Sequence, residues 1–321
     1  MLYEPGIGRN RKAVVMVHHL RGAMDAGDAG QMAVDQILSS LPTQTVATFD
    51  SDALVDYRSR RPIVSIENWV VSDIEEPRIT LSAVTDYSGQ DFLLLHGVEP
   101  DFKWREFSSE VLKLAEYAGV EKTVDIMGVP AAVPHTRTPI VNHTASRREL
   151  VSAEDAPAGQ MRVVASVGAY LQMVLAEAGF ETHGLLATVP YYLSDNLYPA
   201  TASKLLQRLG TLAGLELPLG DLEEMASAIS DHLEGEIEDS PQLAQLVSAL
   251  EEQYDKIFED FSRQVGAGTA GIVTEGDIAD ELARKFEEFL AFEDRDADGY
   301  EIPKHRLGDG FDDQGSNQIG R

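Results

Sequence analysis

A chain of 321 residues, 43% of them hydrophobic, can build one large domain or two ordinary ones around a sizeable core. It has no cysteine, which excludes disulfides, thiolate catalysis and zinc ribbons. Its formal charge of −28 falls mostly on residues 201–321, where 10 Lys+Arg face 28 Asp+Glu, and such a surface repels nucleic acid and anionic membranes. No run of about 18 apolar residues marks a membrane span. Met1 to Pro5 lack the basic-then-apolar start of a secretory signal, so a cytoplasmic protein is expected.

The first 200 residues alternate apolar runs with amphipathic helices. Strands are predicted at Ala13–His19, Gln44–Phe49, Ile63–Ile66, Ile79–Val84, Phe92–His96, Thr123–Met127 and His183–Val189. Several lack polar alternation, as in a sheet covered on both faces. One helix gathers Val34, Ile37, Leu38 and Leu41 on a face, and another gathers Trp104, Phe107, Val111, Leu114 and Ala118. The expectation is an α/β fold with a mixed sheet flanked by helices, the short strands around Ile63–Val84 supplying the mixed part.

The stretch "VVMVHHLRGAMDAGDAGQMAVDQIL" (14–38) reads as strand, glycine-punctuated turn and helix. It lacks the Lys-Ser/Thr of a phosphate loop and the spacing of a dinucleotide fingerprint, and its Asp25 and Asp28 would repel phosphate. A scaffold turn is expected, with Asp28 or a glycine at the helix cap. His18 and His19, adjacent on a strand, point to opposite faces. Glu99 and Asp101 are what a helix start favours, here the helix that contains Trp104. His135 and His143 fall in the proline-rich "VPHTRTPIVNHTA" and are expected to be loop residues, without ligand spacing for zinc. Ser166 has no nucleophile-elbow context and is expected to cap a helix.

After about Thr201 the pattern is helical. Ala202, Leu205, Leu206, Leu209 and Leu212 line one helix. Asp221 with Glu224 suggests a capping box for the next, faced by Leu222, Met225, Ile229 and Leu233. Ser240-Pro241 is a cap followed by proline at the first helical position. The helix it opens spaces Leu243, Val247, Leu250, Tyr254, Ile257 and Phe261 in a heptad rhythm, able to pack inside the protomer or against another subunit. A last helix is expected after Thr274, with Ile278, Leu282, Phe286 and Phe289. Asp294, Asp296, Asp298 and Gly299 match the start of a calcium loop, but His305 replaces its bidentate glutamate, so no metal is assigned. The predicted organisation is an α/β domain over 1–200, a helical extension over 201–292 packed on it, and an acidic, disordered tail over 293–321.

Four segments, "FDSDALVDYRSRRP" (49–62), "LLLHGVEPDFKW" (93–104), "PHTRTP" (134–139) and "VPYYLSDNLYPATASKLL" (189–206), occur in this order and together resemble the proteasome assembly chaperone 2 family, in its bacterial branch. The resemblance covers roughly residues 10–265. It implies a fold like the purine nucleoside phosphorylases, no cofactor, and a non-enzymatic role in protein assembly with proteasome-related subunits as partners. A homo-oligomer is implied, and by analogy with the phosphorylase fold a trimer is one candidate. Some members end in a hydrophobic–Tyr–any tripeptide that docks into proteasome pockets; this chain ends Ile319-Gly320-Arg321. The partner or oligomer surface is then sought at Leu250, Tyr254, Ile257 and Phe261. The alternative is a small-molecule binder or phosphorylase/hydrolase-like enzyme acting on a nucleoside or peptide-like ligand. Its pocket candidates are His96, Glu99, His135, Arg137, Tyr191 and Tyr192, near predicted strand ends and loops.

Overall fold

The computed structural model describes residues 2–22, 24–151 and 163–266. The described residues contain ten strands: β1 Tyr3–Pro5, β2 Val15–Arg21, β3 Thr43–Phe49, β4 Ile63–Glu67, β5 Val70–Glu75, β6 Ile79–Thr85, β7 Asp91–Val98, β8 Lys122–Ala131, β9 Val141–Ala145 and β10 Glu181–Pro190. The helices are α1 Ala29–Ser40, α2 Ser51–Leu54, α3 Trp104–Ala118, α4 Val167–Glu177, α5 Pro199–Ala213, α6 Gly220–Asp239 and α7 Pro241–Gly266.

Eight strands form one mixed sheet in the order β1-β3-β6-β7-β2-β8-β10-β9. The centre, β7-β2-β8-β10, is parallel, and β1, β3, β6 and β9 run antiparallel to their neighbours. The central strands are buried on both faces because helices cover both. Met16, Leu93 and Leu95 meet Phe107, Val111, Leu171 and Leu175 of α3 and α4 on one side. Val17, Leu94, Val124 and Ile126 meet Val34, Ile37, Leu205 and Leu209 of α1 and α5 on the other. The helix that opens the all-helical part of the sequence therefore belongs to the sheet's own second layer.

Two expectations need correction here. Ile63–Ile66 does form a strand, but it pairs with β5 in a separate two-stranded hairpin and contributes nothing to the mixed sheet. The capping box at Asp221 is not formed: α6 starts at Gly220, and Leu219 at its cap makes no side-chain bond. Asp221 lies one residue inside the helix, where its charge still suits the first turn. The Ser240-Pro241 start is as expected, with the Leu243 N–H donating to Ser240 Oγ at 3.3 Å. The helix expected after Thr274, the calcium-like loop at Asp294, Asp296 and Asp298, and the tail lie outside the described residues.

Candidate functional site

The crossover from β2 leads through α1 to one half of the sheet, and that from β8 leads through α4 to the other. Between β2 and β8 is therefore the switch point, outside whose carboxyl ends open α/β sheets hold ligands. The loop after β2 occupies this place with its own anion. Asp25 Oδ1 accepts the N–H groups of Gly30 (2.9 Å) and Gly128 (2.7 Å), and Oδ2 accepts that of Gln31 (2.9 Å). The carboxylate side chain is 5% exposed, and His19 Nε2 stands 3.4 Å from it. These donors, the first turn of α1 and the end of β8, are the groups a phosphate would use. A Cβ at Gly128 would collide with the Ala26 carbonyl oxygen, so only glycine lets the two loops close this way. Asp28 is at the cap position, in the left-handed region at φ 47°, but makes no side-chain bond. The scaffold reading of this turn holds, with the capping residue corrected from Asp28 to Asp25, which reaches the helix from three residues further back.

His18 and His19 part to opposite faces, as alternation requires. His19 Nδ1 is 2.9 Å from the Ile126 carbonyl oxygen. His18, fully buried on the α3/α4 side, places Nδ1 3.1 Å from Asp125 Oδ1. On that same side Glu99 does serve a helix start, but of α4 rather than α3: its Oε1 accepts the Val167 N–H. Ser166 caps the same helix by accepting the Ala169 N–H at 3.1 Å. Asp101 instead accepts the Asp56 N–H at 2.7 Å and lies 3.5 Å from Arg60. α3 begins at Trp104, and Lys103 at its cap position makes no side-chain bond. These two acids bind distant segments because the chain folds Gly22, Arg60 and α4 around the end of β7.

The segment 134–139 and the residues after β10 meet beside the switch point. His135 Nδ1 is 2.7 Å from the Tyr192 hydroxyl, which also accepts the His135 N–H at 3.0 Å, and Tyr198 donates to the His135 carbonyl at 3.3 Å. Tyr191 and Tyr192 make an edge-to-face contact with centroids 5.6 Å apart. Burial pushes the Tyr192 hydroxyl up to about 12 and lowers the His135 imidazole, the latter opposed by Glu251 and Glu234. Arg137 donates to both carboxylate oxygens of Asp255 (2.9 and 2.7 Å) and to Glu251 (3.0 Å). Thr136 donates to Glu251 and Tyr254 to the Thr138 carbonyl, so this loop is tied to α7 along its length. Leu250 and Tyr254 are each 6% exposed within the single chain, which places the heptad-like face inside the protomer at these positions. The side chains of Ile257 and Phe261 lie outside the described residues.

The six pocket candidates thus form three groups rather than one. His135, Arg137, Tyr191 and Tyr192 gather at the α6/α7 side, and Glu99 caps α4. His96 lies on β7, in register with His19, with Nε2 3.1 Å from Ser82 Oγ; burial lowers it to about 4. His143 is not a loop residue. It lies on β9, and its ring stacks on His183 with Nε2 2.9 Å from His183 Nδ1. Burial first, then the charges of His143, Lys122 and Arg147, lower His183 to about 4. Antiparallel pairing of β9 with β10 brings the two together, and the prolines before β9 hid the strand. Among the described residues, no group of three or more His, Asp or Glu could hold a metal ion, and no helix is long and apolar enough to cross a membrane.

The hairpin is the feature sequence reasoning passed over. Every residue of β4 and β5 is exposed. By alternation and register, Val64, Ile66, Val71 and Ile74 share one face, while Ser65, Glu67, Asp73 and Glu75 fall on the other. Two aliphatic runs flank Asn68-Trp69, but Trp69 stands where the two-residue hairpin signal has glycine, so the sequence did not mark the turn.

The sequence matches the PAC2 family over residues 19–237. The chain belongs to the PAC2 family. This PAC2 chain is similar in structure to a Corynebacterium glutamicum protein of unknown function (34% identity, 81% of this chain and 99% of that one, TM-score 0.77). It is equally similar to a Mycobacterium tuberculosis protein of unknown function (34% identity, 87% and 96%, TM-score 0.77). A third relative, a proteasome-assembly chaperone homologue of Mycobacterium tuberculosis, is 27% identical over 73% of this chain and 99% of that one, with a TM-score of 0.67. No curated protein matches the sequence. These neighbours share the mixed α/β architecture.

Proposed function

We propose that this PAC2 chain is a cytoplasmic, non-enzymatic assembly protein that works as a homo-oligomer on protein partners, with proteasome-related subunits first among them. The observation that carries it is the hairpin β4–β5. Ile63, Val64, Ile66, Trp69, Val70, Val71 and Ile74 are between 44% and 98% exposed. Val64, Ile66, Val71 and Ile74 form one wholly apolar face, Ile63 and Val70 lie on the other beside the acids, and Trp69 stands at the turn. A two-stranded hairpin is marginal in water unless something packs on it. A wholly aliphatic face is typical of contacts between copies, because transient interfaces are no more apolar than ordinary surface. Glu67 and Asp73 lie along the hairpin, with exposed Arg61 and Arg78 at its base, so the hairpin of one copy complements the base of the next. The assembly role is supported by the relative described as a proteasome-assembly chaperone homologue. Affinity purification of the tagged full chain from its own cell extract, followed by mass spectrometry, tests it. Stoichiometric proteasome subunits are expected, and a preparation free of any stoichiometric protein partner overturns the assembly role.

The phosphorylase-like alternative has one observation in its favour, the buried Nε2 of His135, which has no hydrogen-bond partner among the described residues. Against it, Arg137 is committed to Glu251 and Asp255, and Asp25 fills the anion cradle. Thermal stabilisation by a nucleoside, phosphate or amino acid that Arg137→Ala abolishes would favour this reading instead.

A further inference from the structure

The turn of the hairpin carries a contradiction between its backbone and its side chain. Asn68 and Trp69 have φ of 50° and 66°. A two-residue turn with both φ positive suits the right-handed twist of the strands, and asparagine is at home in its first position. The second position favours glycine, because a Cβ there crowds the backbone, and a bulky residue in that region is an outlier. Trp69 is also 98% exposed, so its indole finds no compensating contact among the described residues. Glycine would relieve both the strain and the apolar exposure. A large aromatic held against both costs marks a contact outside the protomer, since buried aromatics dominate the energy of interfaces.

We propose that Trp69 is the anchor residue through which the hairpin seats on a second copy of this chain. This rests on the hairpin reading above and deepens it to one side chain. The occupant is a second copy because the hairpin region carries both halves of a charge match: Glu67 next to the turn and Asp73, on the face opposite the aliphatic one, and exposed Arg61 and Arg78 at the base. Among the described residues none of these four has an ion-pair partner in the chain. A membrane surface fits poorly, since Glu67, Asp73 and Glu75 accompany the indole.

The test uses the full chain with Trp69→Gly and Val71→Asp, following mass by light scattering over a concentration series and tryptophan emission in parallel. The chain has two tryptophans, and Trp104 is fixed through its Nε1–H to the Pro100 carbonyl, so the spectrum lost in Trp69→Gly belongs to Trp69. In the unsubstituted protein that emission should shift to the blue as the copies associate. Trp69→Gly should weaken association by about tenfold or more, while the melting temperature of the dilute, dissociated protein stays unchanged or rises. If Val71→Asp dissociates the protein and Trp69→Gly does not, the hairpin remains the interface and the anchor assignment falls. If the unsubstituted chain stays monomeric throughout the series, both fall. A lowered melting temperature of dissociated Trp69→Gly would also overturn the assignment, because the indole would then be serving the protomer.

Discussion

The hairpin β4–β5 and the central strand β7 are made from the same kinds of residue in opposite surroundings. Phe92, Leu93, Leu94 and Leu95 are fully buried between two helical layers, whereas Ile66, Val70 and Val71 are each more than 60% exposed. β propensity is satisfied in both, so it does not distinguish them. What differs is whether other elements cover the faces. Aliphatic strand residues left uncovered by the other described residues are the reason that the hairpin, rather than any cleft, directs the proposed function.

That contrast can be broken most directly by truncating one residue in each region. Leu94→Ala should cost about 2–5 kcal/mol in urea unfolding, from lost burial and the cavity left behind. Val71→Ala, measured in dissociated protein, should stay within about 0.5 kcal/mol. Comparable losses would mean that the hairpin packs on its own protomer.

A second variant probes the covered region where it meets the switch point. Asp25→Ala leaves the N–H groups of Gly30, Gln31 and Gly128 without their acceptor. It should destabilise the fold by about 2–4 kcal/mol, and millimolar formate should restore part of the loss. No destabilisation would show that the carboxylate is not the anchor of the two loops.

Leu250→Glu puts a charge at a site 6% exposed on α7. Amide exchange should accelerate through 241–256 while β2, β7 and β8 stay protected, because the loop 134–139 and α7 pack on each other outside the sheet. Equal acceleration in the sheet would join α7 to the central core.

The smallest expected effect is on pH dependence. His96 and His183 are both lowered from 6.5 to about 4, chiefly by burial. The fold therefore favours the neutral rings, and the stability they contribute is present above pH 6.5 and lost as pH falls towards 4. His183→Gln should flatten that acid limb, whereas Val71→Ala should leave its shape unchanged. An unaltered limb in His183→Gln would remove His183 as a contributor.

Much of the architecture was legible in the chain. Seven strands, the apolar faces of α1, α3 and α5, and the Ser240-Pro241 start follow from periodicity and capping chemistry, which are local properties. The four ordered segments also sufficed to indicate the family. Less could be read of the sites. Asp25 was visible only as a charge hostile to phosphate, because its role needs Gly128, brought beside it by strand order. Glu99 and Asp101 look like an ordinary helix start until α4 and Arg60 arrive from elsewhere in the chain. His143 looks like a loop residue until β10 pairs with its strand.

By itself, then, the sequence determined most of the strands and helices, since these depend on residues a few positions apart, though not β1, β5 or β9. It also determined the chain's strongly acidic balance, since charge is additive. Tertiary structure alone decided which apolar runs are covered, which carboxylate caps which helix, and that Arg137 is spent on α7. Those outcomes depend on contacts between residues tens to more than a hundred positions apart, a separation over which local pattern carries no information.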